Sequence, residues 1–154
     1  MGQIKKGDLK KSISVKNRQA YFHYAIEDTF VTGMVLQGTE IKSIRQGRVS
    51  FTDGYCFIRN GEIYAKGIHV SPYKQASFTN HDPDRVKKLL LQKKEIQKLE
   101  KKVEEKGYTI VPLKLFISDN GFAKLEIGIG KGKKLHDKRD SLKEKDQKRE
   151  MRNL

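Results

Sequence analysis

The sequence predicts a mainly β protein: a closed antiparallel barrel of about six strands, with about three short helices and a basic C-terminal tail. Three observations carry that prediction. Residues 49–70 and 108–129 are two β-rich runs, and each doubles back at an Asn-Gly pair, a strong short-range hairpin signal. An alternating run and a short apolar run precede them, adding strands to the four the hairpins supply. Between its charged ends the chain has 112 residues, enough for one modest core, and so small a sheet removes its edges by closing.

Taken in chain order, "AYFHYAI" at 20–26 places Phe22, Tyr24 and Ile26 on one face of a half-buried strand. "GMVLQG" at 33–38 is a short apolar strand bounded by Gly33 and Gly38. "TEIKSIRQG" then predicts a helix of about two turns, with Thr39 as cap, Glu40 at the positive end and Gly47 as left-handed exit. The first hairpin follows, turning at Asn60-Gly61. In the second, Ile110, Leu113, Leu115 and Ile117 approach the turn, and Phe122, Leu125, Ile127 and Ile129 return from it. Pro112 is placed at an edge or a bulge, since it has no N–H for the ladder. Residues 81–107 predict a helical region, with Asp82 as cap, Pro83 in the first turn and Gly107 as stop. Val86, Leu89 and Leu90 form one apolar stripe and Ile96, Leu99 and Val103 another, about 100° away. The mismatch predicts a break at 91–92 and two helices packed on different parts of the barrel.

Charge divides the chain further. The net charge is +14, and residues 1–18 and 131–154 together hold +10 of it. Three segments are therefore expected: a mobile basic arm at 1–16, a barrel at 17–130, and a tail at 131–154 too poor in apolar residues to fold alone. A basic excess favours phosphate-rich partners through counterion release. No run approaches the roughly 20 apolar residues that span a bilayer, and the start offers neither a secretory signal nor a myristoylation motif. Lone Cys56 provides neither a disulfide framework nor a thiolate cluster, so a reducing cytoplasm and no membrane partner are expected.

"GIGKGKKLHDKRDSLKEKD" at 128–146 looks like a phosphate-binding glycine loop but lacks the required spacing. Lys134 stands where a P-loop needs Ser or Thr, and no apolar helix follows. His23, His69, His81 and His136 are scattered without metal-ligand spacing; Asp82 and Asp84 are explained by capping, and Glu104 and Glu105 by a solvated face. No catalytic residue, metal or cofactor is expected. Polynucleotide binding has more support, because a small barrel offers a face for stacking and basic segments track phosphates. His136 adds a flat ring within the basic run. A solubilising charge run is the plainer explanation of the tail.

"NRQAYFHYAIEDT", "GTEIKSIRQG", "HDPDRVKKLLLQKKEIQKL", "GYTIVPLKLF" and "KLEIGIGKGKKLHDKRD" together resemble the small protein B (SmpB) family of bacterial SsrA-binding proteins, over about residues 16–150. The resemblance implies an oligonucleotide-binding-like (OB-like) barrel and an adaptor that performs no chemistry. Such an adaptor binds the tRNA-like domain of transfer-messenger RNA (tmRNA) and accompanies it to stalled ribosomes in trans-translation. Its tail enters the empty message channel at the small-subunit decoding centre and turns helical there, and the nascent peptide is tagged for degradation. Elongation factor Tu and alanyl-tRNA synthetase are implied as indirect partners through tmRNA, and a monomer is implied.

By position, the family's RNA-facing or supporting barrel residues fall on Asn17, Tyr24, Leu90 and Lys124, and its basic segment on Lys131, Lys133 and Lys134. Its decoding-centre motif falls on His136, Asp137, Lys138 and Arg139. The chain departs from the family at Val31, where many members carry Glu, at Gly130, usually Ala, and at Gln92, often His or Asn. Two other classes stay open: a constitutive ribosomal-type protein binding structured RNA, and a small enzyme built on the barrel.

Overall fold

The computed structural model of the chain describes residues 13–76 and 79–133. Its strands are β1 (Ser14–Lys16), β2 (Tyr24–Val35), β3 (Val49–Arg59), β4 (Glu62–Val70), β5 (Lys87–Leu90), β6 (Tyr108–Ile117) and β7 (Ala123–Gly132). Three helices interleave with them: α1 (Arg18–His23), α2 (Gly38–Arg45) and α3 (Lys93–Val103). The sheet runs β1-β6-β3-β4-β5-β2-β7, and a further β6–β7 pairing closes it. Six antiparallel strands thus form the expected barrel. β1 pairs with residues 114–116 of β6, a stretch that β3, meeting β6 only at Cys56↔Ile110, leaves uncovered.

Local turn chemistry explains the hairpins. Asn60 and Gly61 have φ of 53° and 75°, the left-handed pair that matches the twist of β3 and β4. The β6–β7 ladder is continuous except for a register shift between Pro112 and Lys114, so Pro112 lies at a bulge. A second constraint lies across β3 and β4. Gly67 has φ of 83°, and a Cβ there would overlap the Gly54 Cα and lie 2.6 Å from the Thr52 carbonyl oxygen. Gly67→Ala is expected to cost about 2 kcal/mol or more, measurable as a lower denaturation midpoint with unchanged slope.

The main core fills the barrel with Ile63, Leu89, Ile110, Leu115, Leu125 and Ile127, and α3 caps it through Ile96 and Leu99. A smaller core lies outside the barrel wall, where Ala20 of α1 packs with Val111 and Leu113 of β6 and with Tyr24 and Ile26 of β2. β6 is therefore apolar on both faces.

The structure corrects several sequence expectations. Residues 20–23 are helical, so Phe22 does not share a strand face with Tyr24 and Ile26. "GMVLQG" is no separate strand: Gly33 to Val35 continue β2, which bulges between Ile26 and Asp28. The α2 cap is Gln37, with Glu40 Oε1 accepting the Gln37 N–H at 2.8 Å, and Thr39 instead meets His81. Residues 81–92 form no helix. Asp82 Oδ1 accepts the Asp84 N–H at 3.0 Å in a turn, and residues 87–90 pair with both β4 and β2. The two conflicting apolar stripes belong to a strand and a helix, which is why no single helix reconciles them. The ladder also runs past the expected barrel limits, starting at Ser14 and ending at Gly132.

Candidate nucleic-acid interface

Side chains on the outer face of β2, β5 and β7 alternate with the core residues, so register decides which of them meet. Gly33 of β2 pairs with Leu90 of β5 on one side and Lys124 of β7 on the other. A Cβ on Gly33 would lie 3.3 Å from Leu90 Cβ, so the glycine leaves room for the leucine side chain to lie across the strand. Leu90 is nonetheless 52% exposed. Lys124 has no ion-pair partner among the described residues. Two expected site residues, 34 positions apart in sequence, thus share one cross-strand row. Val31 lies one outward position along β2, opposite Glu126, and is 55% exposed. The chain presents apolar surface at this position.

Asn17 and Tyr24 lie elsewhere, at the end where β7 leaves the barrel. Asn17 is buried; its backbone N–H donates to Leu113 O at 2.7 Å and its side-chain amide to Pro112 O at 2.8 Å. It pins the start of α1 to the β6 bulge, where a displaced backbone needs donors. Asn17 therefore supports the surface instead of forming it. Tyr24 packs on the outer core and lines a cleft of about 660 Å³ with Asn17, His23, Tyr55 and Lys133. The Lys133 N–H donates to His23 O at 2.8 Å, which fixes where the chain exits towards its basic tail.

Lys131, the last strand lysine, lies 4.9 Å from the centroid of the Tyr108 ring, and Lys102 of α3 lies 4.5 Å from it. The Tyr108 hydroxyl donates to Glu27 Oε1 at 2.9 Å, and that bond raises the pKa of the phenol. An exposed cation–π contact contributes roughly 0.5–1 kcal/mol, so the ring orients Lys131 only weakly. Lys134, His136, Asp137, Lys138 and Arg139 lie outside the described residues.

Two of the histidines weighed in the sequence have structural partners. His81 is buried, with Nδ1 2.8 Å from Thr39 Oγ1 and Nε2 2.9 Å from Val70 O. His69 Nδ1 lies 2.9 Å from Asp84 Oδ1. Burial raises the Cys56 thiol far above its ordinary pKa, so it is no nucleophile. Among the described residues no grouping of His, Cys, Asp or Glu has the arrangement to hold a metal ion. No described helix is long and apolar enough to cross a membrane.

A family model described as "SmpB protein" matches residues 14–154. The chain belongs to the SmpB family. An SsrA-binding protein of Geobacter sulfurreducens is 53% identical over 143 residues, covering 93% of each chain. One of Bacillus subtilis is 55% identical over 136 residues, covering 88% of this chain and 86% of the relative. A solved structure described as "tmRNA-SmpB: a journey to the center of the bacterial ribosome" contains a similar chain, with a TM-score of 0.70 and 40% identity. The match covers 85% of this chain and 95% of that one.

Within this SmpB-family barrel, a buried charge network at the start of β5, the strand that carries Leu90, is what sequence reasoning missed. Glu40 of α2 is fully buried and accepts from Arg85 Nη2 at 2.6 Å, while Arg85 also donates to Val35 O at 3.1 Å. Buried Lys87 donates to Ile68 O and Arg85 O at 2.9 and 2.7 Å, with its Nζ 3.7 Å from Glu40 Oε2. The cluster ties the ends of β2 and β4 and the start of β5 to α2. Glu40 three residues after Gln37 was a visible capping signal, but nothing local marked Lys87 as buried.

Proposed function

We propose that the chain is a tmRNA-binding adaptor of trans-translation with two separate contact regions. The outer row of Leu90, Gly33 and Lys124, supported by the buried charge cluster, takes the tRNA-like domain. The tail, leaving beside His23, Tyr24 and Lys133, probes the empty message channel and decoding centre of a stalled ribosome, so that the nascent peptide is tagged for degradation. Lys131, Lys133 and Lys134 lead into that channel, and His136, Asp137, Lys138 and Arg139 act at the decoding centre. In this scheme the barrel, with its ladder from Ser14 to Gly132, holds the RNA, the segments before and after it are basic extensions, and the setting is the cytoplasm. Elongation factor Tu and alanyl-tRNA synthetase are partners only through the tmRNA, and the barrel serves as a scaffold without turnover.

The observation that carries this reading is the separation of the two regions along β7. Lys124 and the exit at Gly132 are eight residues apart on one strand, roughly 25 Å at about 3.3 Å per residue. A single rigid strand thereby connects an RNA-holding face to a ribosome-probing tail.

Competition binding tests it. The protein is expected to bind tmRNA well above bulk tRNA at physiological salt, with affinity falling log-linearly as salt rises. Equal affinity for bulk tRNA and tmRNA would favour a constitutive binder of structured RNA instead.

A further inference from the structure

The outer face around the Leu90 row carries several exposed apolar side chains. Val31, Val35, Leu90 and Phe122 are all exposed, and Phe122 most of all at 64%. Gly33, Leu90, Phe122 and Lys124 line one depression of about 510 Å³, with Arg45 on its rim. Scattered exposed hydrophobics need no explanation, but a cluster on one face does.

Phe122 is held there by its backbone. The Ser118 N–H donates to Phe122 O at 2.8 Å, the Gly121 N–H to Ser118 O at 2.8 Å, and the Phe122 N–H to Ser118 Oγ at 3.2 Å. Arg45 Nη2 reaches Gly121 O at 3.3 Å, and Gly121 takes a φ of 86°. The turn is thus closed on itself and tied to α2, so the ring does not swing freely with its backbone. Its ring has no aromatic or cationic partner among the described residues. Lys124 and Arg45, which line the same depression, supply positive charge.

We propose that Phe122 is a stacking platform for one unpaired nucleobase of the bound RNA. The inference deepens the proposed function and rests on the reading that this face holds RNA. A flat, exposed apolar ring on a fixed turn, lining one depression with two cations, suits a base whose flanking phosphates need neutralising. An apolar protein partner would gain nothing from the charges and would leave Lys124 and Arg45 to be desolvated without counter-charge. Stacking also compensates for Val31, which offers no hydrogen bond to a base edge but extends the apolar floor.

The test uses the full-length chain and tmRNA transcripts carrying 2-aminopurine at single unpaired positions of the tRNA-like domain. Wild type and Phe122→Trp are expected to quench one such position. Phe122→Ala and Phe122→Leu should lose the quenching and bind roughly tenfold more weakly with an unchanged salt slope. The leucine variant keeps apolar area and lacks only the ring, so full binding by it would overturn base stacking. Lys124→Ala separates the two levels of the argument, since it should lower the salt slope by about one. If Lys124→Ala weakens binding and Phe122→Ala does not, the stacking inference fails alone. If neither does, RNA does not bind this face and both proposals fall. Lost RNA binding without any quenched position in wild type would point to a protein or ribose contact and overturn the inference as well.

Discussion

A chain ending at Lys133 is expected to lose ribosome rescue entirely while keeping the barrel's fold and most of its affinity for tmRNA. β7 ends at Gly132, and the Lys133 N–H to His23 O bond is the last fixed contact of the described chain. Among the described residues no core residue lies beyond Ile129, so thermal denaturation should shift by no more than a few degrees. The removed segment carries eight basic and five acidic side chains; its loss should reduce the salt slope of RNA binding modestly and leave the Leu90–Lys124 face unchanged. Tagging of a nascent peptide on ribosomes stalled at a message end should fall to the level seen without the protein. Wild-type tagging by the truncated chain would sink the assignment of decoding to His136, Asp137, Lys138 and Arg139. Hydrogen exchange gives a second readout: tail amides in the intact protein should gain protection on tmRNA-loaded stalled ribosomes and not on tmRNA alone.

What made the barrel legible in the sequence was local chemistry. Asn60-Gly61 and Asn120-Gly121 mark their turns regardless of what packs around them, and strands flanking such turns have few other choices. The pattern at 87–90 carried no such mark. "KKLL" suits a helix, and only pairing with β2 and β4, residues distant in sequence, makes it a strand in which Lys87 and Leu89 face inward. Tertiary context overrides propensity most easily in short segments. α1 was missed for a related reason. Asn17 precedes it as a capping residue would, yet its side chain serves the Pro112 carbonyl instead of the helix.

The site shows the same division. The meeting of Leu90 with Lys124 depends on the register of three strands and cannot be read from any one of them. The outward position of Phe122 was readable, because Ala123, Leu125, Ile127 and Ile129 share the inward parity and Phe122 has the other.

The largest stability effect is expected at Glu40. Replacing it with Gln should cost about 3–5 kcal/mol, because it leaves two cations, one of them fully buried, without their anion. Burial by itself would raise the Glu40 pKa. The bonds from Arg85 and the Gln37 N–H, with the charges of Arg85 and Lys87, bring it below its ordinary value. Lys87 is shifted down by burial, with Glu40 opposing the shift, so removing Glu40 leaves its charge unsupported. For a carboxylate with a lowered folded pKa, the stabilisation is complete above the ordinary carboxylate pKa and is lost as pH falls through the folded value. Urea titrations should therefore find wild type well above Glu40→Gln near neutrality, with the gap narrowing below the ordinary carboxylate range. A gap independent of pH would mean that shape and hydrogen bonding matter here, not charge. Adding Lys87→Met should recover part of the loss, since an apolar side chain at that site no longer needs a counter-ion. RNA binding supplies the link to function: Arg85 joins Glu40 to the last carbonyl of β2, and Lys87 opens the strand that presents Leu90. The double variant should therefore regain affinity for tmRNA in step with its stability.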